Sequence, residues 1–246
     1  MTDFKAPTRD IRFVRNELLG YHDLWAKLPG CEDATPDMID AIMDELAKFC
    51  ENEVAPTYQA GDEGCRLEGT EVITPKGFKE AYQMFVEAGW SGLATSTEFG
   101  GQGLPVSLGM VLNEMLGTAN WSWSMYPLLS HGARASLEKH GSPELKEQYL
   151  PKLTEGRWTG TMCLTEPHCG TDLGLLRTKS EPQADGSYSV TGTKIFISSG
   201  EHDMAENIVH LVIARTPDAP AGTKGISLFV VPKFLLDADG NPGERN

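Results

Sequence analysis

The densest run of chemically capable side chains is Thr165-Glu166-Pro167-His168-Cys169-Gly170-Thr171-Asp172, directly after the apolar stretch 159–164. Pro167 and Gly170 mark a sharp turn, where backbone N–H groups around Gly170 can face a ligand. The hydroxyls of Thr165 and Thr171 can hydrogen-bond a cofactor ring. The plainer reading is a strand-ending turn capped by Asp172. Glu166 and Asp172 are candidates for a general acid/base pair, and Glu98 is a third carboxylate. An ion pair or a helix cap accounts for each equally well. His168-Cys169 suggests a thiolate nucleophile or a metal ligand. Adjacent side chains rarely point at one another, however, and no second His/Cys pair lies at zinc spacing. A Cys in such a turn also packs well as a small hydrophobe.

Two further segments invite a functional reading. The loop 92–105, GLATSTEFGGQGLP, holds Gly100-Gly101-Gln102-Gly103, a faint phosphate cradle. It lacks the P-loop lysine and the strand–helix setting of a dinucleotide fingerprint. The cluster Trp121-Ser122-Trp123-Ser124-Met125-Tyr126 reads first as core or subunit contact, and only second as the wall of an apolar pocket. His131 and His140 have no interpretable context.

The elements that must position these residues change character near Arg157. Before it, apolar residues recur at helical spacing: Met38, Ile39, Ile42, Met43, Leu46, Phe49 and Cys50 form one stripe. Thr35 caps that helix, Pro36 sits in its first turn, and Pro56 is expected to stop it. Thr74-Pro75 is expected to open a second helix, closed by Gly89. A third carries Leu108, Val111, Leu112 and Met115. A fourth covers about 125–139, and Ser142-Pro143 opens a fifth. After Arg157 the period becomes two. Strands are expected at 159–164, 187–190, 193–198, 208–214 and 225–231, joined by turn-rich links without a helical spacer. The fold class is therefore α+β. An all-helical N-terminal domain fills 1–157, with 1–33 as an extension, and an antiparallel β-barrel-like domain fills 158–246.

Composition narrows the function. Over 246 residues, 21 Lys and Arg against 35 Asp and Glu give a formal charge of −14. Such a surface repels phosphate backbones, which argues against a nucleic-acid partner. No apolar run approaches the roughly 20 residues of a membrane helix, so no membrane insertion is expected. The N-terminal stretch has no apolar signal region. Arg9, Arg12 and Arg15 at helical spacing faintly suggest a transit peptide, against which Asp3 and Asp10 argue. The five cysteines lack CxxC spacing and read as free thiols in a reducing compartment.

Four segments in order, GLATSTEFGGQGLP, GSPELKEQYLPKLTEGRWTG, MCLTEPHCGTDL and VTGTKIFISSG, resemble the acyl-CoA dehydrogenase family. The resemblance covers most of the chain from about Ala34 onward. His168-Cys169 and SWSMYPLLSHGA look most like the branch acting on 3-(methylthio)propanoyl-CoA. The resemblance implies flavin adenine dinucleotide (FAD), an acyl-CoA substrate oxidised to a 2-enoyl-CoA, and an electron-transfer flavoprotein as acceptor. It further implies a homodimer or homotetramer in a bacterial cytoplasm, ahead of a mitochondrial matrix. Carried over by position, Met162, Leu164 and Thr165 would lie against the flavin ring, with Thr165 bonding near N5. Gly170 and Thr171 would lie near the pyrophosphate and the CoA arm, so that Thr171 also touches substrate. Phe196, Ile197 and Ser198 would form the second flavin segment. Many members carry Trp and Thr where this chain has Phe196 and Ser198, and small residues where it has His168-Cys169. The family's catalytic Glu and a C-terminal helical bundle are expected beyond Asn246, so the 246 residues are expected to be an inactive fragment. The competing readings are a non-catalytic interaction module and a thiol or metal hydrolase built on Cys169 and His168.

Overall fold

The computed structural model describes residues 4–25, 27–32 and 34–246. Helix α1 (Thr8–Arg12) runs on through the wider turns Phe13–Leu18, and α2 (Tyr21–Trp25) follows. Helix α3 (Pro36–Phe49) begins as its sequence requires. The Thr35 hydroxyl accepts from the Met38 N–H, Pro36 stands in the first turn, and Ile39, Met43, Leu46 and Ala47 bury one face. Arg12 reaches Asp40 and Asp44, and the buried Arg15 reaches Asp40. The arginine spacing thus docks the N-terminal segment on α3.

Pro56 does not stop this helical run. The chain continues through Cys50–Val54 and the tight turn Ala55–Thr57 into α4 (Tyr58–Glu63). A proline that opens a new turn forfeits no hydrogen bond, because an N–H there has no partner to lose. An unforeseen hairpin follows, β1 (Arg66–Glu68) with β2 (Glu71–Ile73). Helix α5 (Phe78–Glu87) starts later than Thr74-Pro75, after Gly77 in the left-handed region at φ 87°. Thr74 instead gives its N–H and hydroxyl to Asp203, at 3.1 and 2.7 Å.

Helices α6 (Val106–Ala119), α7 (Trp121–His140) and α8 (Pro143–Glu155) complete the helical part. Within the Trp121–Tyr126 cluster, Trp123 resolves as core packing. Trp123 is fully buried among Phe49, Tyr82 and Phe85, and its indole N–H reaches the Phe78 carbonyl at 3.1 Å. Trp121 stays exposed.

Strand β3 (Trp158–Cys163) pairs in parallel with β6 (Asn207–Ala214), and β6 pairs antiparallel with β7 (Ser227–Pro232). Hairpins β4 (Lys179–Pro182) with β5 (Tyr188–Thr191), and β8 (Phe234–Leu236) with β9 (Pro242–Arg245), stand apart from that sheet. The expected antiparallel barrel is therefore corrected. The central sheet is mixed, and the described residues form no closed barrel. Parallel pairing needs a crossover of about a dozen residues or more, and the excursion 164–206 supplies it without an α-helix. The expected strand at 193–198 is a loop, because Phe196 and Ser199 both take φ 57°, which no strand accommodates.

Helices α7 and α8 pack on the sheet. Ala133, Leu137, Leu150 and Leu153 share one core with Trp158, Val209 and Leu211. Gly160 allows the contact, since a Cβ there would fall 2.4 Å from the Ala133 Cβ, and its N–H reaches the Ser130 hydroxyl at 3.0 Å.

The glycines of loop 92–105 serve the loop itself. The N–H groups of Gly101, Gln102 and Gly103 turn inward to the carbonyls of Ser96, Gly92 and Thr95, which removes the phosphate-cradle reading. A Cβ on Gly101 would lie 2.2 Å from the Thr95 carbonyl oxygen. Gly101→Ala is therefore expected to destabilise the fold by about 2–3 kcal/mol in urea unfolding. An unchanged midpoint would contradict this packing.

Candidate functional site

At the end of β3 the chain enters the turn singled out by its chemistry. The Glu166 and Cys169 backbones bond each other in both directions, at 2.8 and 3.1 Å. The Glu166 side chain turns inward and is 3% exposed. It accepts from the N–H groups of Arg177 and Thr178 at 2.8 and 3.0 Å, from the Thr178 hydroxyl, and from Lys194 Nζ at 2.9 Å. Burial alone would raise this carboxyl. The Thr178 hydroxyl, the Arg177 amide and Lys194 overrule it and hold the pKa down at about 2. Glu166 is thus a fixed anion, with no capacity to carry protons near neutrality. Asp172 accepts from the Gly174 N–H at 3.1 Å and caps the turn Leu173–Leu175, so the plainer reading holds for both carboxylates. Glu98 lies exposed in a separate short turn.

Lys194 also donates to the Leu164 carbonyl at 3.1 Å, and the Ile195 N–H donates to the Thr165 carbonyl at 3.0 Å. These bonds lay the loop 194–200 against the end of β3. Two segments far apart in sequence therefore share one edge. Met162 is 40% exposed there and Phe196 is 89% exposed, on a backbone in the left-handed region. A bulky residue holds that conformation only when its surroundings dictate it, as at ligand-facing loops. Leu164 and Thr165 are half-buried, whereas Thr171 and Ser198 are exposed. A Cβ on Gly170 would sit 3.3 Å from Thr165 Cγ2, so the Gly170 backbone lies hard against the Thr165 side chain. Among the described residues, the hydroxyls of Thr165, Thr171 and Ser198 have no hydrogen-bond partner within the protein. The edge thus offers apolar faces beside free hydroxyls.

Behind that edge a cleft of about 590 Å³ is lined by Tyr126, Cys163, Lys194, Ile197, His210 and Val212. The structure therefore separates Ile197, which lines the cleft, from Phe196, which points outward. On the same side of the sheet the Thr159 hydroxyl meets His202 Nε2 at 2.9 Å, and the Thr161 hydroxyl meets His210 Nδ1 at 2.7 Å. His202 Nδ1 accepts from the Met204 N–H, which makes Nε2 its protonated nitrogen. Burial pulls both imidazoles down to about 4 and keeps them neutral.

His168 does not activate Cys169. Its Nε2 donates to the Leu175 carbonyl at 3.0 Å. The ligand atoms of Glu166, His168 and Cys169 lie within 4.8 Å of one another, but Glu166 is already saturated by its own donors. The five cysteines are unpaired. The sequence reading had passed over Lys194 and Thr178. Lys194 had a signal: it is the single charge in the run V-T-G-T-K-I-F-I-S-S-G, where a lone cation implies an internal anion. Thr178 had none.

A helical layer over a small mixed sheet, with two segments distant in sequence clamped at one edge, defines an α+β protein. A family model described as acyl-CoA dehydrogenase, N-terminal domain, matches residues 36–157, and one described as the middle domain matches 161–241. The chain belongs to the acyl-CoA dehydrogenase family. It is 46% identical over 244 residues to a 3-methylmercaptopropionyl-CoA dehydrogenase of Ruegeria pomeroyi, covering 99% of this chain and 41% of that one. It is 40% identical to a butyryl-CoA dehydrogenase of Syntrophomonas wolfei, covering 97% and 40%. The chain thus spans about two-fifths of the length of these relatives. Among solved structures, the electron transferring flavoprotein of Acidaminococcus fermentans superposes with a TM-score of 0.64 at 28% identity, covering 78% of this chain and 47% of that one. Butyryl-CoA dehydrogenase from Megasphaera elsdenii shares the fold, with a TM-score of 0.65 at 24% identity and coverage of 79% and 48%. Among the described residues no helix is long and apolar enough to cross a membrane.

Two predictions follow from the site's electrostatics. Lys194→Met leaves Glu166 buried and unpaired, which should cost about 3–5 kcal/mol in chemical unfolding at neutral pH; a loss below about 1 kcal/mol would show that the pair does not hold the turn. His202 and His210 have folded pKa values below the ordinary 6.5, so the unfolded chain binds more protons in acid. Their stabilisation is complete above about pH 6.5 and is lost as pH falls toward 4. Urea midpoints should fall over that window, and His202→Gln should flatten the slope. A pH-independent midpoint between 7 and 4.5 would refute the assignment.

Proposed function

We propose that this chain is the N-terminal and middle part of an FAD-dependent acyl-CoA dehydrogenase, with 1–157 as the helical domain and 158–246 as the β domain. Its substrate is a short acyl thioester of the 3-methylthiopropanoyl kind, converted to the 2-enoyl-CoA. It works as a homo-oligomer in the bacterial cytoplasm and passes electrons to an electron-transfer flavoprotein. The observation that carries this reading is the clamped edge, where free hydroxyls stand beside the exposed faces of Met162 and Phe196.

The donor set fits the cofactor. A flavin ring needs flat apolar contact and hydrogen-bond donors at its heteroatoms, and this edge offers both. Met162, Leu164 and Phe196 would flank the ring, with Thr165 and Ser198 donating to its polar atoms. Gly170 and Thr171, at the open end of the turn, would receive the pyrophosphate and the CoA arm. When bound, FAD supplies the hydride acceptor for the substrate β-hydrogen. The chain's own task is to hold the acceptor and substrate in register and keep water from the reacting carbons. An α-C–H becomes acidic only when donors polarise the thioester carbonyl. The proton leaves to a carboxylate, and neither Glu166 nor Asp172 is free for that role in the structure. The 46% identity to the Ruegeria enzyme supports the sulfur-bearing substrate over longer chains.

The full-length protein should purify yellow and release 2-enoyl product from 3-methylthiopropanoyl-CoA, with a much lower kcat/KM on long-chain acyl-CoA. Thr165→Ala should weaken flavin binding by about 0.5–1.5 kcal/mol and alter the flavin spectrum. A colourless protein that cannot be reconstituted with FAD would overturn the reading. Unchanged affinity and spectrum in Thr165→Ala would remove that residue from it.

A further inference from the structure

Among the described cations that are nine-tenths or more buried, Arg15 sits against Asp40, Lys194 against Glu166 and Lys233 against Glu201. Arg134, on α7 and 6% exposed, is the exception. No carboxylate lies within 4.0 Å of it among the described residues. Glu138, one turn further on, adds only attraction at a distance. The guanidinium donates to the Ser91 carbonyl at 3.0 Å and to His131 Nδ1 at 3.1 Å, which leaves N–H groups unspent. Because Nδ1 accepts that bond, His131 is neutral with its proton on Nε2.

Ser91, His131 and Arg134 all line one cavity between α6, α7 and the turn at Trp90, together with the Asn113 amide. Among the described residues no Asp or Glu lines it. Val106 and Met110, also in its lining, are 67% and 64% exposed. The cavity measures about 40 Å³, and one water needs roughly 10–15 Å³ of such space, so it holds three or four heavy atoms. A buried unpaired charge is costly, and burial pulls Arg134 down to about 10. In a chain of net charge −14, this buried guanidinium lines a cavity without a carboxylate among the described residues.

We propose that this cavity binds a small monocarboxylate, of formate or acetate size, on the guanidinium fork of Arg134. The planar fork matches a carboxylate with two parallel N–H···O bonds, and the Asn113 amide can supply a third donor. None of the residues assigned to the flavin edge lines this cavity, so the site stands whether or not that assignment holds.

The test is a titration of the purified protein, labelled with ¹⁵N-arginine, with sodium formate at constant ionic strength and with glycerol as a neutral control. The expected result is a saturable one-site response in the millimolar range, with the Arg134 Nε–H signal moving on formate and not on glycerol. Arg134→Lys keeps the charge and loses the fork, and should weaken binding at least about five-fold. No saturable shift at the Arg134 signal, or equal binding by a folded Arg134→Lys, overturns the proposal. If neither Arg134→Lys nor Arg134→Gln folds, the localised shift in the wild-type protein decides the matter alone. Water filling of the cavity predicts no formate dependence and counts against the site.

Discussion

The buried carboxylate of Glu166 is the interaction on which the edge between the end of β3 and the loop 194–200 depends. A single anion, almost withdrawn from solvent, gathers two backbone amides from 177–178, one hydroxyl and one ammonium. Withdrawing a carboxylate from water is affordable only with that degree of satisfaction. Four donors from two distant segments are therefore obliged to be where they are. Lys194 then passes the constraint on through the Leu164 carbonyl, and Ile195 through the Thr165 carbonyl. The loop that holds Phe196 has little freedom left, which is why an aromatic residue can remain at φ 57° with its ring in solvent.

A second constraint fixes where this edge lies. Strand β3 approaches α7 so closely that position 160 admits no side chain, and the Ser130 hydroxyl takes the Gly160 N–H. Trp158, fully buried between α8 and the sheet, anchors the same strand at its start. The helical part thereby sets the depth of β3, and β3 sets the position of the turn that follows. On the other side of the sheet, Thr159 and Thr161 meet two neutral histidines. That face is polar yet satisfied, whereas the hydroxyls of Thr165, Thr171 and Ser198 at the outer edge have no partner among the described residues.

Much of this was legible in residue types and spacing. The cap of α3, its buried face and the helices α6 to α8 follow from 3.6-residue periodicity and from capping residues, both local properties of the chain. The turn after β3 was visible because Thr, Glu, Pro, Gly and Asp crowd one strand end. The order of four motifs carried the family. Less legible were the run through Pro56, the hairpin at 66–73 and the left-handed loop at 193–198. In each, a local signal pointed one way and packing chose another. Proline permits a new turn as readily as it ends one, and alternation at 193–198 is overridden once Lys194 is drawn inward to Glu166.

The sequence by itself determined the α+β order, the helix boundaries set by caps, the strand-ending turn at 165–172 and the family, because each rests on neighbours within a few residues or on motifs in register. Only the tertiary structure decided which carboxylates were already engaged, that β3 and β6 run parallel, and that Arg134 is buried with no carboxylate against it among the described residues. Those facts depend on groups dozens of residues apart being brought within about 3 Å of one another, or kept from it. No period or spacing along the chain encodes such distances. They follow from how a limited core is filled and from the cost of burying a charge, which most but not all of the buried charges offset with a partner.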